Sequence, residues 1–131
     1  MKCLDVICGI IIRNRKVLIA QRGIDMSLPL KWEFPGGKRI QEESDYDCLV
    51  REIIEELNIL VDVKERFAVS RHLYEGFEVC LIAYLAEILE GVEHSLEHER
   101  IRWVSKDNLL DLDWADADIP IVQRLVMSNL L

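Results

Sequence analysis

The hydrophobic positions near the start of the chain form short runs rich in Val, Ile and Leu, which are typical of β-strands. Residues 6–12 and 16–21 are two such runs, and Arg13-Asn14-Arg15 between them predicts the turn of a hairpin. Later runs predict three more strands, at residues 61–71, 77–88 and 100–104. A turn at Tyr74-Glu75-Gly76 separates the first two of these.

In residues 44–57 the hydrophobic residues no longer form short runs but recur with helical spacing. Ser44 followed by Asp47 resembles a weak capping box, which predicts the start of a helix there. The apolar residues that follow recur three or four positions apart and predict its buried face: Tyr46, Val50, Ile53, Ile54 and Leu57.

Two shorter helices are predicted in the C-terminal third. One begins at Ser105 and ends near residue 110, and the other begins at Asp118-Ile119-Pro120 and ends near residue 130. In the second, the aspartate would cap the helix and the proline would occupy its first turn. Strands before, between and after one strong helix favour an α+β class with a mixed sheet between helices.

The composition indicates one packed domain, residues 1–131, without an internal repeat or a Pro/Ser-rich linker. Half of the residues are hydrophobic and 31% are charged, which is typical of a globular protein. Sixteen basic residues against 24 acidic ones give a formal net charge of −8, which argues against stable binding to nucleic acid or to an anionic membrane. A polyanionic substrate would therefore need a cation.

The four cysteines stand far apart, with no Cys-x-x-Cys pair, which indicates neither a zinc site nor a disulfide framework. The N-terminal run contains an aspartate and no small-residue cleavage site, so it is interpreted as a strand and not a signal peptide. No apolar stretch approaches the roughly 20 residues that cross a bilayer. We therefore expect a cytoplasmic protein without membrane association.

Three acidic residues crowd one side of the strong helix. At about 100° per residue, Glu52, Glu55 and Glu56 fall within one narrow sector. A solvated helix face is the ordinary explanation of such a cluster. A site for a hard cation such as Mg²⁺ is the alternative, because a cation shared with substrate phosphates would neutralise the repulsion.

The spacing around these glutamates distinguishes the two explanations. The segment resembles the box of the Nudix hydrolase family, G-x5-E-x7-R-E-U-x-E-E-x-G-U with U a bulky aliphatic residue. Asn58 replaces the usual second glycine, and asparagine is the next best residue for a left-handed helix end. Every other position agrees: Gly37, Glu43, Arg51, Glu52, Ile53, Glu55, Glu56 and Ile59. The flanking segments KWEFPGGK, VLIAQR, EHERIRWV and ADADIPIVQRL resemble the MutT-type branch of the family.

This resemblance implies an α/β/α sandwich around a mixed sheet and the hydrolysis of a nucleoside triphosphate to a monophosphate and pyrophosphate. It implies Mg²⁺, with Mn²⁺ as an alternative, bound by the side chains of Glu52, Glu55 and Glu56 and by the Gly36 carbonyl. Arg51 would orient these glutamates as part of the catalytic set. Glu43 would have a supporting role.

The resemblance also implies a substrate site outside the box. Arg22 matches an arginine that contacts phosphate, and Glu97 matches a candidate general base, with Glu99 or a box glutamate as alternatives. His94 and His98 are four residues apart, but Gly91 and the following strand predict a loop, which disfavours a transition-metal pair. The remaining implied substrate contacts are Glu33, Phe34, Pro35, Gly36 and Asp118.

The role implied for Asp118 does not decide which nucleobase the enzyme prefers. An ionised aspartate only accepts hydrogen bonds and would favour the guanine edge, whereas a protonated one would favour cytosine. We expect a monomeric or homodimeric enzyme that removes oxidised guanine nucleotides such as 8-oxo-dGTP, in support of DNA repair. The alternatives are a CTP or modified-dCTP pyrophosphohydrolase and, in another class, a non-catalytic nucleotide-binding module.

Overall fold

The computed structural model describes residues 2–131, which form seven strands and three α-helices. The strands are β1 (Lys2–Arg13), β2 (Lys16–Gln21), β3 (Trp32–Glu33), β4 (Gly36–Lys38), β5 (Leu60–Tyr74), β6 (Phe77–Glu90) and β7 (Arg100–Val104). The helices are α1 (Asp45–Leu57), α2 (Lys106–Leu109) and α3 (Ile119–Met127), and a 3₁₀ turn at Asp116–Asp118 leads into α3.

The strands join into one mixed sheet, as expected. Its order is β3-β2-β1-β6-β5, with β4 paired to β1 and β7 paired to β2. The long β1–β6 pairing is parallel, and the other pairings between strands are antiparallel. The α+β prediction is therefore confirmed, and the five predicted strands are present.

Two hydrophobic layers cover the two faces of the sheet. Successive strand residues point to opposite faces, so Ile7 and Ile11 of β1 pack towards α1 while Cys8 and Ile10 pack towards α3. The α1 layer is closed by Leu49, Ile53 and Leu57, and the α3 layer by Ile121, Val122 and Leu125. This gives the predicted arrangement of helices on both sides of a sheet.

Helix α1 begins and ends at the predicted residues. The Ser44 hydroxyl accepts a hydrogen bond from the Asp47 N–H at 3.0 Å. Asn58 closes the helix with φ 59°, the left-handed conformation that glycine usually provides. The asparagine is therefore a conformational substitute at this box position.

The predicted buried face of α1 is partly wrong. Tyr46 and Ile54 are 50% and 45% exposed, whereas Cys48 and Leu49 are fully buried. Apolar residues occur on several sides of this helix, so spacing alone does not select the side that meets the sheet. The contact with β1 and β5 makes that selection.

Three of the four cysteines, Cys8, Cys48 and Cys80, are buried and unpaired, and Cys3 is exposed. No disulfide joins them, as the spacing predicts. Between residues 2 and 131 no helix has the length and apolar character needed to cross a membrane.

Candidate active site

Two consecutive glycines allow the backbone of β4 to lie close to β1 on one side and to a glutamate of helix α1 on the other. Gly36 has φ 154°, and a Cβ built on it would lie 2.0 Å from the Ile7 carbonyl oxygen. A Cβ on Gly37 would lie 2.4 Å from the Glu52 carboxylate. Gly36 therefore has no room for a side chain beside the backbone of β1, whereas a side chain at Gly37 would displace the Glu52 carboxylate.

The three box glutamates have three different environments, so the alternative of a uniformly solvated helix face does not describe them. The Glu55 side chain is 50% exposed, that of Glu52 is 16% exposed, and that of Glu56 is 4% exposed. Glu56 Oε2 accepts a hydrogen bond from the Gly36 N–H at 2.9 Å. The helix therefore turns Glu56 inward under β4 and leaves Glu55 at the surface.

Burial and neighbouring charge disfavour ionisation of the inner glutamates. Burial, followed by the charges of Glu33, Glu52 and Glu97, raises the pKa of Glu56 to about 9. Burial also raises the pKa of Glu52, against the lowering effect of its hydrogen bond from Arg51. A bound cation would reverse this cost, since it stabilises the carboxylates in their charged form.

Arg51 connects the glutamates to one another. Its Nε and one terminal nitrogen donate to both carboxylate oxygens of Glu43, at 2.7 and 2.9 Å. Its other terminal nitrogen donates to Glu52 at 2.8 Å and to Glu55 at 3.2 Å. The hydrogen bonds from Arg51 lower the pKa of Glu43 to about 2.

Removal of this arginine is expected to destabilise the protein in a pH-dependent way. The folded pKa of Glu43 lies below its ordinary value, so the stabilisation is complete above about pH 4.5 and is lost as pH falls through about 2. Arg51→Ala should lower Tm by several degrees at pH 7, and the deficit should narrow below pH 4. Arg71→Ala, which removes an exposed pair with Glu78 at 3.3 Å, is the matched control. Equal Tm losses in both variants would contradict the assignment.

A cavity of about 430 Å³ opens on the other side of the Gly36 backbone. Its walls are mostly apolar, and the charged residues that line it are Arg22, Glu33, Lys38, Glu75 and Asp118. Tyr74 and Phe77, whose rings stack at 5.5 Å, form part of the wall. The sequence predicts Tyr74 in a turn and Phe77 at the start of a strand, and their position on either side of Glu75-Gly76 is the signal that could have identified them as cavity residues.

Asp118 lies at the cavity wall and does not cap α3 with its side chain, so that expectation is wrong. Its backbone is already helical, with φ −81° and ψ −23°, because the 3₁₀ turn runs directly into α3. Its Oδ2 instead accepts the Phe34 N–H at 3.0 Å. Burial raises the pKa of Asp118 well above its usual range.

Arg22 closes the loop between β2 and β3. Its Nε donates to the Ser27 carbonyl at 2.6 Å and one terminal nitrogen donates to the Ser27 hydroxyl at 2.9 Å. The other terminal nitrogen pairs with Glu33 at 2.9 Å. Of the remaining predicted contacts, Phe34 and Pro35 are buried in the segment that leads from β3 to Gly36.

Glu97 lies in the loop before β7, exposed, and close enough for its charge to raise the pKa of both Glu52 and Glu56. Leu96 holds this loop against α1, because its N–H donates to the Glu56 carbonyl at 3.0 Å. The loop also buries His98 between Glu33 and Glu56, and no pattern in the sequence indicates this burial. The Glu99 N–H donates to the Gln21 carbonyl at the end of β2.

The residues present fit a hard cation. The donors around β4 and α1 are carboxylate and carbonyl oxygens, which suit Mg²⁺ and Mn²⁺. Within residues 2–131, no three His, Cys, Asp or Glu side chains lie close enough to hold an ion by themselves. Water and phosphate oxygens would complete the coordination, as is common for Mg²⁺.

Known proteins resemble this chain over nearly its whole length. The family model of the NUDIX domain matches residues 7–124. The CTP pyrophosphohydrolase of Escherichia coli is 36% identical over 126 residues, which cover 96% of this chain and 93% of that protein. The 8-oxo-dGTP diphosphatase of the same species is 30% identical, with 95% and 98% covered. The MutT solution structure from methicillin-resistant Staphylococcus aureus is 39% identical, with a TM-score of 0.78 and 97% and 98% covered.

Proposed function

This chain belongs to the NUDIX family, and we propose that it is a MutT-type enzyme that hydrolyses nucleoside triphosphates to a monophosphate and pyrophosphate. One observation carries the proposal: the acidic cluster and the 430 Å³ cavity lie on two sides of the same glycine backbone. Gly36 lines the cavity and also donates its N–H to Glu56. A base in the cavity would therefore place its phosphates beside the glutamates.

The proposed metal ligands are Glu52, Glu55, Glu56 and the Gly36 carbonyl. A bound Mg²⁺ supplies charge neutralisation of the triphosphate and activation of a water molecule, and Mn²⁺ is an alternative. Arg51 orients Glu52 and Glu55 through the hydrogen bonds described above. All three box glutamates are retained, which favours an enzyme over a non-catalytic binding module.

The proposed general base is Glu97, which is exposed and close to the inner glutamates; Glu99 and the box glutamates are alternatives. Arg22 is the proposed phosphate contact. Its guanidinium lines the cavity, and it would exchange part of its hydrogen bonding with Ser27 for a phosphate oxygen.

The proposed substrate is an oxidised guanine nucleotide such as 8-oxo-dGTP. The cavity offers Phe34 and Asp118 to a base, with Glu33 and Pro35 beside them. An ionised Asp118 would accept two hydrogen bonds from the ring N–H and exocyclic amine of guanine. The similarity to the 8-oxo-dGTP diphosphatase of E. coli supports this choice.

A specific observation favours CTP or modified dCTP as the second candidate. Burial disfavours ionisation of Asp118, and a neutral carboxyl group has an O–H that can donate to the acceptor nitrogen of cytosine. The similarity to the CTP pyrophosphohydrolase of E. coli supports this candidate.

The proposed setting is the cytoplasm, where the enzyme would act on the nucleotide pool as a monomer or homodimer and thereby serve DNA repair. The net charge of −8 supports a small-molecule substrate over stable contact with nucleic acid.

Product analysis tests the proposed reaction. With Mg²⁺, canonical and oxidised nucleotides of guanine and cytosine should yield monophosphate and pyrophosphate in equal amounts. Because water attacks an internal phosphorus, heavy oxygen supplied as labelled water should enter one of these two products. Formation of only nucleoside diphosphate and orthophosphate would refute the proposed reaction.

A further inference from the structure

A buried histidine connects the cavity to the acidic cluster. Glu33 Oε1 accepts a hydrogen bond from Arg22 at 2.9 Å. The other carboxylate oxygen of Glu33, Oε2, lies 2.9 Å from His98 Nε2. His98 Nε2 also lies 3.5 Å from Glu56 Oε1, and Glu56 Oε2 accepts the Gly36 N–H at 2.9 Å. Both carboxylates thus use one oxygen towards His98 and the other towards a fixed donor.

Packing and stability do not account for this histidine. Its side chain is 2% exposed, and its Nδ1 is buried without a hydrogen-bond partner among the described residues. An unpaired buried nitrogen is unfavourable, and an apolar side chain would avoid it. The imidazole at this position therefore has a role other than packing, and its contacts with two carboxylates indicate what that role is.

We propose that His98 is a positioning residue: its Nε2–H donates to Glu33 and, 3.5 Å from Glu56 Oε1, holds the Glu56 carboxylate in its orientation beside Gly36. The proposal rests on the proposed metal-dependent function, because its purpose is to keep one metal ligand in place. Through Glu33 and Arg22, the same contact links that ligand to the cavity where the nucleotide would bind.

The physical basis is the proximity of two acidic groups. Glu33 and Glu56 repel each other when both are charged, and this repulsion favours rotation of the Glu56 carboxylate away from Glu33. An N–H donor between the two carboxylates offsets the repulsion. The Nε2–H is present in the cation and in one neutral tautomer, so the role requires no change of protonation. Loss of a group that orients a metal ligand typically lowers metal affinity or activity 10–100-fold.

Three variants test the role. His98→Phe keeps the shape of the ring and removes both nitrogens, and His98→Gln restores an N–H donor. His94→Phe is the matched control, since His94 is exposed in the same loop. The readouts are the Kd of Mn²⁺ without nucleotide, measured by electron paramagnetic resonance, together with kcat and Tm.

We expect His98→Phe to weaken Mn²⁺ binding and to lower kcat, each about tenfold or more, without a loss of Tm. His98→Gln should recover most of both, and His94→Phe should match the wild type. A Phe variant within twofold of the wild type in Kd and kcat would overturn the inference. A Phe variant that unfolds, or a Gln variant that recovers neither quantity, would show a purely structural role and would also overturn it.

The same experiment separates this inference from the function on which it rests. If the wild type binds Mn²⁺ and hydrolyses nucleotides, and the His98→Phe variant has the same Kd and kcat, only the role of His98 is refuted. A wild-type protein that binds no Mn²⁺ and hydrolyses no nucleotide refutes the proposed function, and the positioning role with it.

Discussion

Glu56→Gln is expected to lower kcat by at least about a hundredfold and also to raise the thermal stability of the metal-free protein at alkaline pH. The activity falls because glutamine keeps the size of the side chain but removes a negative ligand of the proposed metal site. The stability rises because glutamine removes a buried carboxyl group whose charged form is less stable in the folded protein than in the unfolded chain. The two effects have opposite signs, which a general loss of folding cannot produce.

The pH dependence of this effect follows from the pKa of Glu56, about 9 in the folded protein against an ordinary value of 4.5. The folded protein holds this proton more tightly than the unfolded chain, so the wild type loses stability as pH rises from about 4.5 through about 9. With EDTA, the Tm of Glu56→Gln should equal that of the wild type near pH 4 and exceed it by roughly 5 °C at pH 8.

Glu55→Gln is the matched control for both effects. Glu55 is half exposed, so its replacement should lower kcat at least about a hundredfold without any gain in Tm. Normal activity with unchanged Mg²⁺ dependence in either variant would refute that residue as a ligand. A Tm difference in Glu56→Gln that stays constant with pH would refute the explanation from burial.

Asp118→Asn is expected to lower the ratio of guanine to cytosine nucleotide kcat/KM by about tenfold or more. Asparagine retains an oxygen that can accept the Phe34 N–H, but it replaces one acceptor facing the ligand with a donor, and one misplaced hydrogen bond has an effect of this size. Tm should remain near the wild-type value, because the side chain makes no cap for asparagine to lose.

The pH profile distinguishes the two candidate substrates. Burial raises the pKa of Asp118, so the wild-type preference for guanine should increase as pH rises and the carboxyl group ionises, while the Asn variant should show no such change. An unchanged ratio at neutral pH would mean that the neutral carboxyl reads the base, since asparagine reproduces its donor and acceptor. That result would favour the cytosine nucleotide.

The elements that the sequence predicts best are those whose signals are local. The cap at Ser44 and the left-handed Asn58 depend on neighbours in the chain, and both appear as predicted. Strands β3 and β4 were missed because their few residues lie in a segment rich in glycine and proline, and pairing with distant strands defines them.

The site shows the same division. The spacing of the box places the glutamates on one helix, but the approach of β4 and of the loop before β7 buries Glu56 and leaves Glu55 exposed. Asp118 was expected to cap a helix because its neighbours are Ile119 and Pro120, and its actual partner, Phe34, is 84 positions away in the chain. Long-range contacts of this kind leave no periodic pattern in the sequence.

The distribution of the thiols offers a practical route to observing this enzyme at work. Cys3 is exposed while the other three cysteines are buried in the core, so a maleimide dye should attach to the native chain at one position. Leu4, the next residue, lines the cavity. Fluorescence from a dye at Cys3 should therefore change when a nucleotide enters, which would give association and dissociation rates in stopped-flow experiments without an engineered cysteine.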